Sequence, residues 1–336
     1  MSDNPEGAVT PDMIQRLQAE VPAAFAMLAG MQLGLFSELA GGPRSVAELA
    51  ATLGVAEDRL ARLLYALVAV GLLETRETGF ANGPEAASFL VKGRPDYVGG
   101  VHELLNQLWH ADMLTAQSVR SGRPAALHDF AAASDADMAA MLRGMHGTAI
   151  ASGRELLRRF NFSRCRSVVD IGGGSGGLVA TLCDARPGLK GILFDLPRTA
   201  ALAADILAAT PGGDRVTIET GDILRAPPGG THDAVVLRAL VQVLGQADAA
   251  RAIANAAKAL RPGGTLYIMG GGILDDSRVS PRSAVFLNVT FMNLYEAGAA
   301  YTEAQHREWL LAAGCSDMQR VTLSTGSGII AATRQS

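Results

Sequence analysis

Residues 170–177, Asp170-Ile171-Gly172-Gly173-Gly174-Ser175-Gly176-Gly177, are the stretch whose types and spacing most plainly suit chemistry. The apolar run from Ser167 to Asp170 predicts a buried strand, and a helix is expected to begin near Leu178. Glycines allow a tight turn and let a ligand approach the backbone with no Cβ in the way, while the following helix N-terminus offers unpaired N–H groups. Such a turn is a nucleotide cradle, although the same spacing also fits a dinucleotide turn. Asp195, at the end of Gly191-Ile192-Leu193-Phe194-Asp195-Leu196-Pro197, follows at the distance where a second-strand carboxylate reaches ribose hydroxyls. Asp222, in Gly221-Asp222-Ile223-Leu224, lies just beyond a third strand, where the bland alternative is a turn or cap acid. His146 stands about one helix length before the glycine turn, where a helix passing over the ligand would present an imidazole that acts near neutral pH.

From Ser167 onward the chain alternates strand and helix, the signature of a parallel sheet with helices on both faces. Helices are expected over Leu178–Ala185, Thr199–Ala209 and Asp248–Leu260, with strands at Gly191–Asp195, Val216–Glu219 and Ala234–Leu237. The turn Arg261-Pro262-Gly263-Gly264 leads into a further strand, Thr265–Met269. Acids at successive strand ends would then line one edge of an open sheet. Before this region, residues 96–160 read as helical over Val101–Val119, Asp135–Ala151 and Arg154–Phe160.

The first hundred residues read differently. Apolar groups at helical spacing (Ile14, Leu17, Val21, Phe25, Leu28, then Leu33, Leu35, Phe36, Leu39) predict two helices separated near Gly30–Gly34. Ser45-Val46-Ala47-Glu48 is a capping box for a short helix ending at Gly54, and Glu57–Val70 supplies another. Gly71–Thr75 and Gly79–Asn82 resemble the strands of a small wing, which completes a winged-helix outline. A DNA-binding role is disfavoured. Between Arg44 and Gly79 four basic residues face five acidic ones, and the helix with Leu60, Leu63, Leu64, Leu67 and Val68 leaves only a narrow polar face.

With 336 residues, 49% of them hydrophobic, the chain is long enough for about two domains of the usual ~150 residues. Its net charge of −4 gives no general pull toward nucleic acid or anionic membrane. The stretch Met1–Asp12 lacks a basic-then-apolar signal and no apolar run reaches the ~18 residues of a membrane span, so a cytoplasmic protein is expected. Cys165, Cys183 and Cys315, odd in number and far apart, argue against a disulfide framework or zinc site, and no metal is expected.

Four motifs in order, Asp170–Gly176, Phe194-Asp195-Leu196-Pro197, Gly221-Asp222-Ile223 and Leu260–Gly264, resemble those of S-adenosylmethionine-dependent methyltransferases. More narrowly, the chain is similar over nearly its whole length to two-domain small-molecule O-methyltransferases of the caffeate, hydroxyindole and bacterial polyketide type. The resemblance implies an α/β, class I Rossmann-like domain whose sheet is parallel with an antiparallel last strand (Met318–Leu323 with Gly328–Thr333). It also implies a winged-helix-like dimerisation domain over 1–95, a helical linker over 96–160 that contributes to the acceptor pocket, and the methyltransferase domain over 161–336. Under it, Asp170, Gly172 and Gly174 would hold the methionine part of S-adenosyl-L-methionine, and Asp195 with Leu196 the ribose. Asp222 and Ile223 would hold the adenine, and Arg238 occupies a position where relatives carry a basic residue near the cofactor. Trp109, His110, Met145, Phe286, Phe291, Met292 and Tyr295 are candidates for the acceptor pocket, and Arg143 or Arg120 for pairing with a substrate carboxylate. A homodimer and a small-molecule acceptor are the expected partners.

One departure stands against this agreement. O-methylating relatives carry Leu-His-Asp-Trp after the fourth strand, with the His as base; here Leu240-Val241-Gln242-Val243-Leu244 stands in its place. Gln242 cannot accept the proton, and positioned acid–base help is worth ~10²–10⁴-fold for a hydroxyl acceptor. A thioether, a neutral amine or an activated carbon needs no such base, so the sequence predicts methylation by proximity and orientation, with Gln242 in the pocket. Other readings remain: His146 or His110 serving as base for ordinary O-methylation, a binding or regulatory protein without turnover, and a nicotinamide oxidoreductase, in which the Gly221-Asp222 and Arg261-Pro262-Gly263-Gly264 elements would have no role.

Overall fold

Apolar periodicity builds helix α1 (Asp12–Gln32), and Gly34, in the left-handed region at φ 69°, separates it from the single turn α2 (Leu35–Glu38). In the computed structural model, which describes residues 9–94, 96–130 and 132–335, the chain divides into two units at Asn106/Gln107. Most of the stretch Met1–Asp12 therefore lies outside the described residues. The expected capping box forms at α3 (Val46–Leu53): the Glu48 carboxylate accepts from the Ser45 N–H at 2.7 Å, and the Ser45 hydroxyl accepts from the Glu48 N–H at 3.3 Å. Helix α4 (Glu57–Ala69) buries Leu60, Leu64 and Leu67 on one face, against Leu35, Phe36 and Leu49. Strands β1 (Leu73–Arg76) and β2 (Gly79–Asn82) pair antiparallel as the wing, and α5 (Pro84–Phe89) follows. On α1 the side chains of Ile14, Leu17 and Val21 stay exposed at helical spacing and form an apolar stripe.

The division between units falls inside α6 (His102–Asp112). Helix α7 (Thr115–Ser121) is separate from it, so the expected Val101–Val119 segment is broken at Met113-Leu114. Helix α8 runs unbroken through Asp135–Arg159, where two helices parted near Ser152-Gly153 were expected. Gly153 is no breaker. A Cβ there would stand 2.9 Å from both the Leu178 carbonyl oxygen and the Thr181 Cβ, so the glycine is what lets the next helix pack directly on α8.

The remaining elements alternate: β3 (Ser167–Ile171), α9 (Gly177–Ala185), β4 (Lys190–Asp195), α10 (Pro197–Ala208), β5 (Val216–Thr220), β6 (His232–Arg238), α11 (Gln246–Lys258) and β7 (Leu260–Gly270). Then come β8 (Ile273–Leu274), α12 (Arg282–Leu294), β9 (Tyr301–Thr302), α13 (Glu303–Ala312), β10 (Cys315–Thr322) and β11 (Gly328–Arg334). The seven-stranded sheet has the order β10-β11-β7-β6-β3-β4-β5; β3 to β7 pair parallel, and β11 lies antiparallel between β7 and β10. Both faces are covered because alternate side chains of a strand point to opposite sides. Val235 and Leu237 pack with Ile253, Leu266 and Trp309, whereas Ala234 and Val236 pack with Leu178, Leu193 and Tyr267. The chain runs outward from β3 toward β5 and then returns to β3's other side at β6. That reversal opens a crevice at the carboxyl end of β3, where ligands of such sheets bind.

Candidate active site

The glycine turn occupies that crevice. Gly172, Gly174 and Gly176 have φ of 64°, 56° and 73°, a region side chains rarely enter, and a Cβ on Gly173 would lie 2.7 Å from the Asp170 carboxyl carbon. The turn is tied to β4 twice: the Gly172 N–H donates to the Phe194 carbonyl at 2.8 Å, and the Gly174 N–H donates to Asp195 Oδ2 at 2.9 Å. The other Asp195 oxygen accepts from the Leu196 N–H at 2.7 Å, and the Leu196 side chain is half exposed at the cleft edge. Burial pushes the Asp195 carboxyl above its ordinary range, against those two N–H donors.

Beneath the turn, Asp170 is fully buried, and neither of its carboxylate oxygens has a hydrogen-bond partner. Burial pushes it up to about 7, with the Arg238 guanidinium pulling in the opposite direction. Arg238, at the end of β6, donates to Ser152 Oγ at 2.8 Å and to Thr148 Oγ1 at 2.9 Å. Asp222, one strand further out, accepts from the Leu224 N–H at 2.9 Å and pairs with Arg225 at 3.3 Å, while Ile223 is buried. The sheet edge therefore brings Asp170, Gly172, Gly174, Asp195, Leu196 and Arg238 together, with Asp222 and Ile223 beyond β5.

Helix α8 crosses this cradle. Leu142 lies over Gly174, and a Cβ added to Gly177 would stand 2.9 Å from His146 Nδ1. Both ring nitrogens of His146 are engaged by hydroxyls, Nδ1 with Ser175 Oγ at 2.9 Å and Nε2 with Thr210 Oγ1 at 3.2 Å, and burial pulls its proton affinity down. Met145 is half-buried beside it. After β6, Val241 is buried, and the Gln242 amide oxygen accepts from the Gly272 N–H at 3.0 Å, bracing the link between β7 and β8. On α12, Phe291 is buried 5.7 Å from the Tyr295 ring, which stacks at 6.4 Å on Phe130. Met292 is more than a third exposed, Trp109 is partly buried, and His110 is exposed on α6. The hydroxyl partners Thr148, Ser152, Ser175 and Thr210 were not singled out from sequence; the only trace was the i,i+4 spacing of Thr148 and Ser152 on one helix face.

Residues 106–316 match the O-methyltransferase domain family and residues 21–93 the O-methyltransferase dimerisation domain. The chain belongs to the S-adenosylmethionine-dependent O-methyltransferase family. Relatives of this methyltransferase include the 3-hydroxy-5-methyl-1-naphthoate 3-O-methyltransferase of Streptomyces sahachiroi, 29% identical over 99% of this chain and 98% of that one. Another is the 8-amino-8-demethylriboflavin N,N-dimethyltransferase of Streptomyces davaonensis, 33% identical over 77% of each. Among solved structures, human N-acetylserotonin methyltransferase in complex with its methyl donor superposes with a TM-score of 0.85, covering 99% of this chain and all of that one at 19% identity, a likeness of fold. No helix among the described residues is long and apolar enough to cross a membrane.

Proposed function

We propose that this methyltransferase acts on a small molecule whose reacting atom is nucleophilic without prior deprotonation, an amine attached to an aromatic ring before others. The observation that carries the reading is the segment after β6. Val241 is buried and Gln242 has its amide oxygen on a backbone N–H, so neither offers a base there. Two relatives, the riboflavin-type enzyme and OxyT of Streptomyces rimosus (32% identical), are N,N-dimethyltransferases by name, which agrees with this choice.

The buried, unpartnered Asp170 carboxylate and a turn that a Cβ would fill suit a cationic ligand that comes close to the backbone. S-adenosylmethionine is such a ligand, and when bound it supplies an electrophilic methyl on a positively charged sulfur. In this reading Gly172 and Gly174 admit its methionine part, and Asp170 with Arg238 sets the charge beneath it. Asp195 accepts from the ribose, with Leu196 alongside, and Asp222 and Ile223 flank the adenine. Phe291, Tyr295, Trp109, Met145, His110 and Met292 would surround the acceptor and exclude water, leaving alignment as the main contribution to rate. The amine's lone pair would take the methyl as the sulfur–methyl bond breaks, with neutral S-adenosylhomocysteine as the leaving group, and the ammonium formed would release its proton to solvent, so no base is needed before transfer. The division of labour is dimerisation over 1–95, linking helices over 96–160 and chemistry over 161–336, with two copies meeting at the exposed stripe of α1.

A phenolic acceptor with His146 or His110 as base is the second reading, favoured by the naphthoate relative. Initial rates with methyl-labelled cofactor on matched aromatic amines and phenols separate the two. Amine methylation with a rate independent of pH across the imidazole range, once the amine is neutral, is expected. Turnover of phenols alone, rising with one imidazole-like pKa, would refute the proposal.

A further inference from the structure

The hydrogen-bond directions around His146 can be deduced. Thr210 Oγ1 lies 2.6 Å from the Ile206 carbonyl, which only accepts, so the hydroxyl proton points there. Toward His146 Nε2 the same oxygen is then the acceptor, and Nε2 carries the ring's proton. Nδ1 is therefore bare, and its 2.9 Å contact with Ser175 Oγ is a bond donated by the serine. Ser175 Oγ in turn accepts from the Gly177 N–H at 3.4 Å, at the first turn of α9. The chain of donors runs Gly177 N–H to Ser175, Ser175 to His146, His146 to Thr210, and Thr210 to Ile206.

Ser175 is the only residue between Gly172 and Gly177 with a side chain, and it is buried. A run of glycines loses more conformational freedom on ordering than any other, so its shape must be imposed from outside. Three holds are present. From β4 the Phe194 carbonyl grips the Gly172 N–H and Asp195 grips the Gly174 N–H, and from α8 His146 grips Ser175. The carboxylate of Asp195 is also the group offered to the ribose, so the cofactor shares that hold; the hold from α8 is independent of it.

We propose that His146 is a positioning residue: through Ser175 it fixes the glycine turn in the shape that receives the cofactor, and it takes no part in proton transfer from the acceptor. This rests on reading the turn as the cofactor cradle.

The test compares His146→Asn, His146→Gln and His146→Leu. An Asn oxygen can stand where Nδ1 stands and accept from Ser175, whereas a Gln amide reaches only as far as Nε2. By titration calorimetry with S-adenosylhomocysteine, His146→Asn should bind within about threefold of the wild type, while the Gln and Leu variants weaken about tenfold or more, as expected when a buried hydroxyl loses its acceptor. The kcat at saturating cofactor should stay within about threefold throughout, because the role ends once the cofactor is bound. Ser175→Ala should match His146→Leu, and the double variant should lose no more than either single one.

Equal weakening of the Asn and Leu variants would overturn the proposal. So would normal binding by Ser175→Ala, or a collapse of kcat in His146→Asn with binding intact. If His146→Leu does not fold, the Asn–Gln contrast and Ser175→Ala carry the same decision. Asp195→Ala tests the cradle separately: undiminished binding there would overturn the reading of the turn, whatever the His146 variants do.

Discussion

Replacing Asp170 with Asn probes the buried carboxyl directly. Its proton affinity in the folded apo chain is raised to about 7 from an ordinary 3.8. Roughly three units at ~1.36 kcal/mol each make about 4 kcal/mol by which the charged form is disfavoured on folding. Because the folded value lies above the unfolded one, stability is complete below pH 3.8 and is lost as pH rises toward 7, above which the full penalty applies. Between pH 8 and pH 6 the wild type should therefore gain about 1.4 kcal/mol from this group, and the Asn variant, which cannot ionise, should not. Buried histidines act in the opposite direction: burial lowers His128, His146 and His306, so their contribution falls as pH drops, but it is common to both proteins. Urea unfolding of the two apo proteins at pH 6, 7 and 8 isolates the difference. A wild-type-minus-variant gap that stays flat across that range would refute the account of Asp170 as a strained, unpartnered acid. Calorimetry in buffers of different ionisation heat adds a second reading, since a cationic ligand that charges Asp170 must release a proton on binding below pH 7.

Three other outcomes follow from the geometry. Gln242→Ala should keep kcat within about tenfold in a steady-state assay, and a loss of the ~10²–10⁴-fold typical of a removed base would count against base-free transfer. Gly153→Ala forces a methyl to within 2.9 Å of α9, and thermal unfolding should show a loss of about 1–3 kcal/mol; an unchanged melting curve would mean the two helices do not pack this closely. Leu17→Asp with Val21→Asp places two charges on the exposed stripe of α1, and sedimentation should show a shift from dimer to monomer with the fold retained; a persistent dimer would put the interface elsewhere.

Elements with a local signature were legible in the sequence. The box at Ser45, the wing and the strand before the glycine turn all stand where propensity and capping put them. What failed depended on partners distant in sequence. Gly153 looks like a helix breaker until Leu178 is seen beside it, and β6 begins two residues early because its edge is fixed by pairing with β7. At the site, the glycine turn and Asp195 were readable because ligand geometry dictates their spacing. Ser175, Thr210 and the hydroxyls that hold Arg238 were not, since a serine or threonine has no positional signature until its partner from another element is in place.

The unbroken course of α8 has a consequence for how this sequence can change length. At ~1.5 Å per residue its 25 residues form a rod of about 37 Å. Along it Leu142 meets Gly174, His146 meets Ser175, Thr148 and Ser152 meet Arg238, and Gly153 meets Leu178. One residue inserted between Leu142 and Gly153 would rotate everything beyond it by about 100°, turning at least one of these partners away. Surface loops absorb insertions; this stretch of helix is fixed in its residue count.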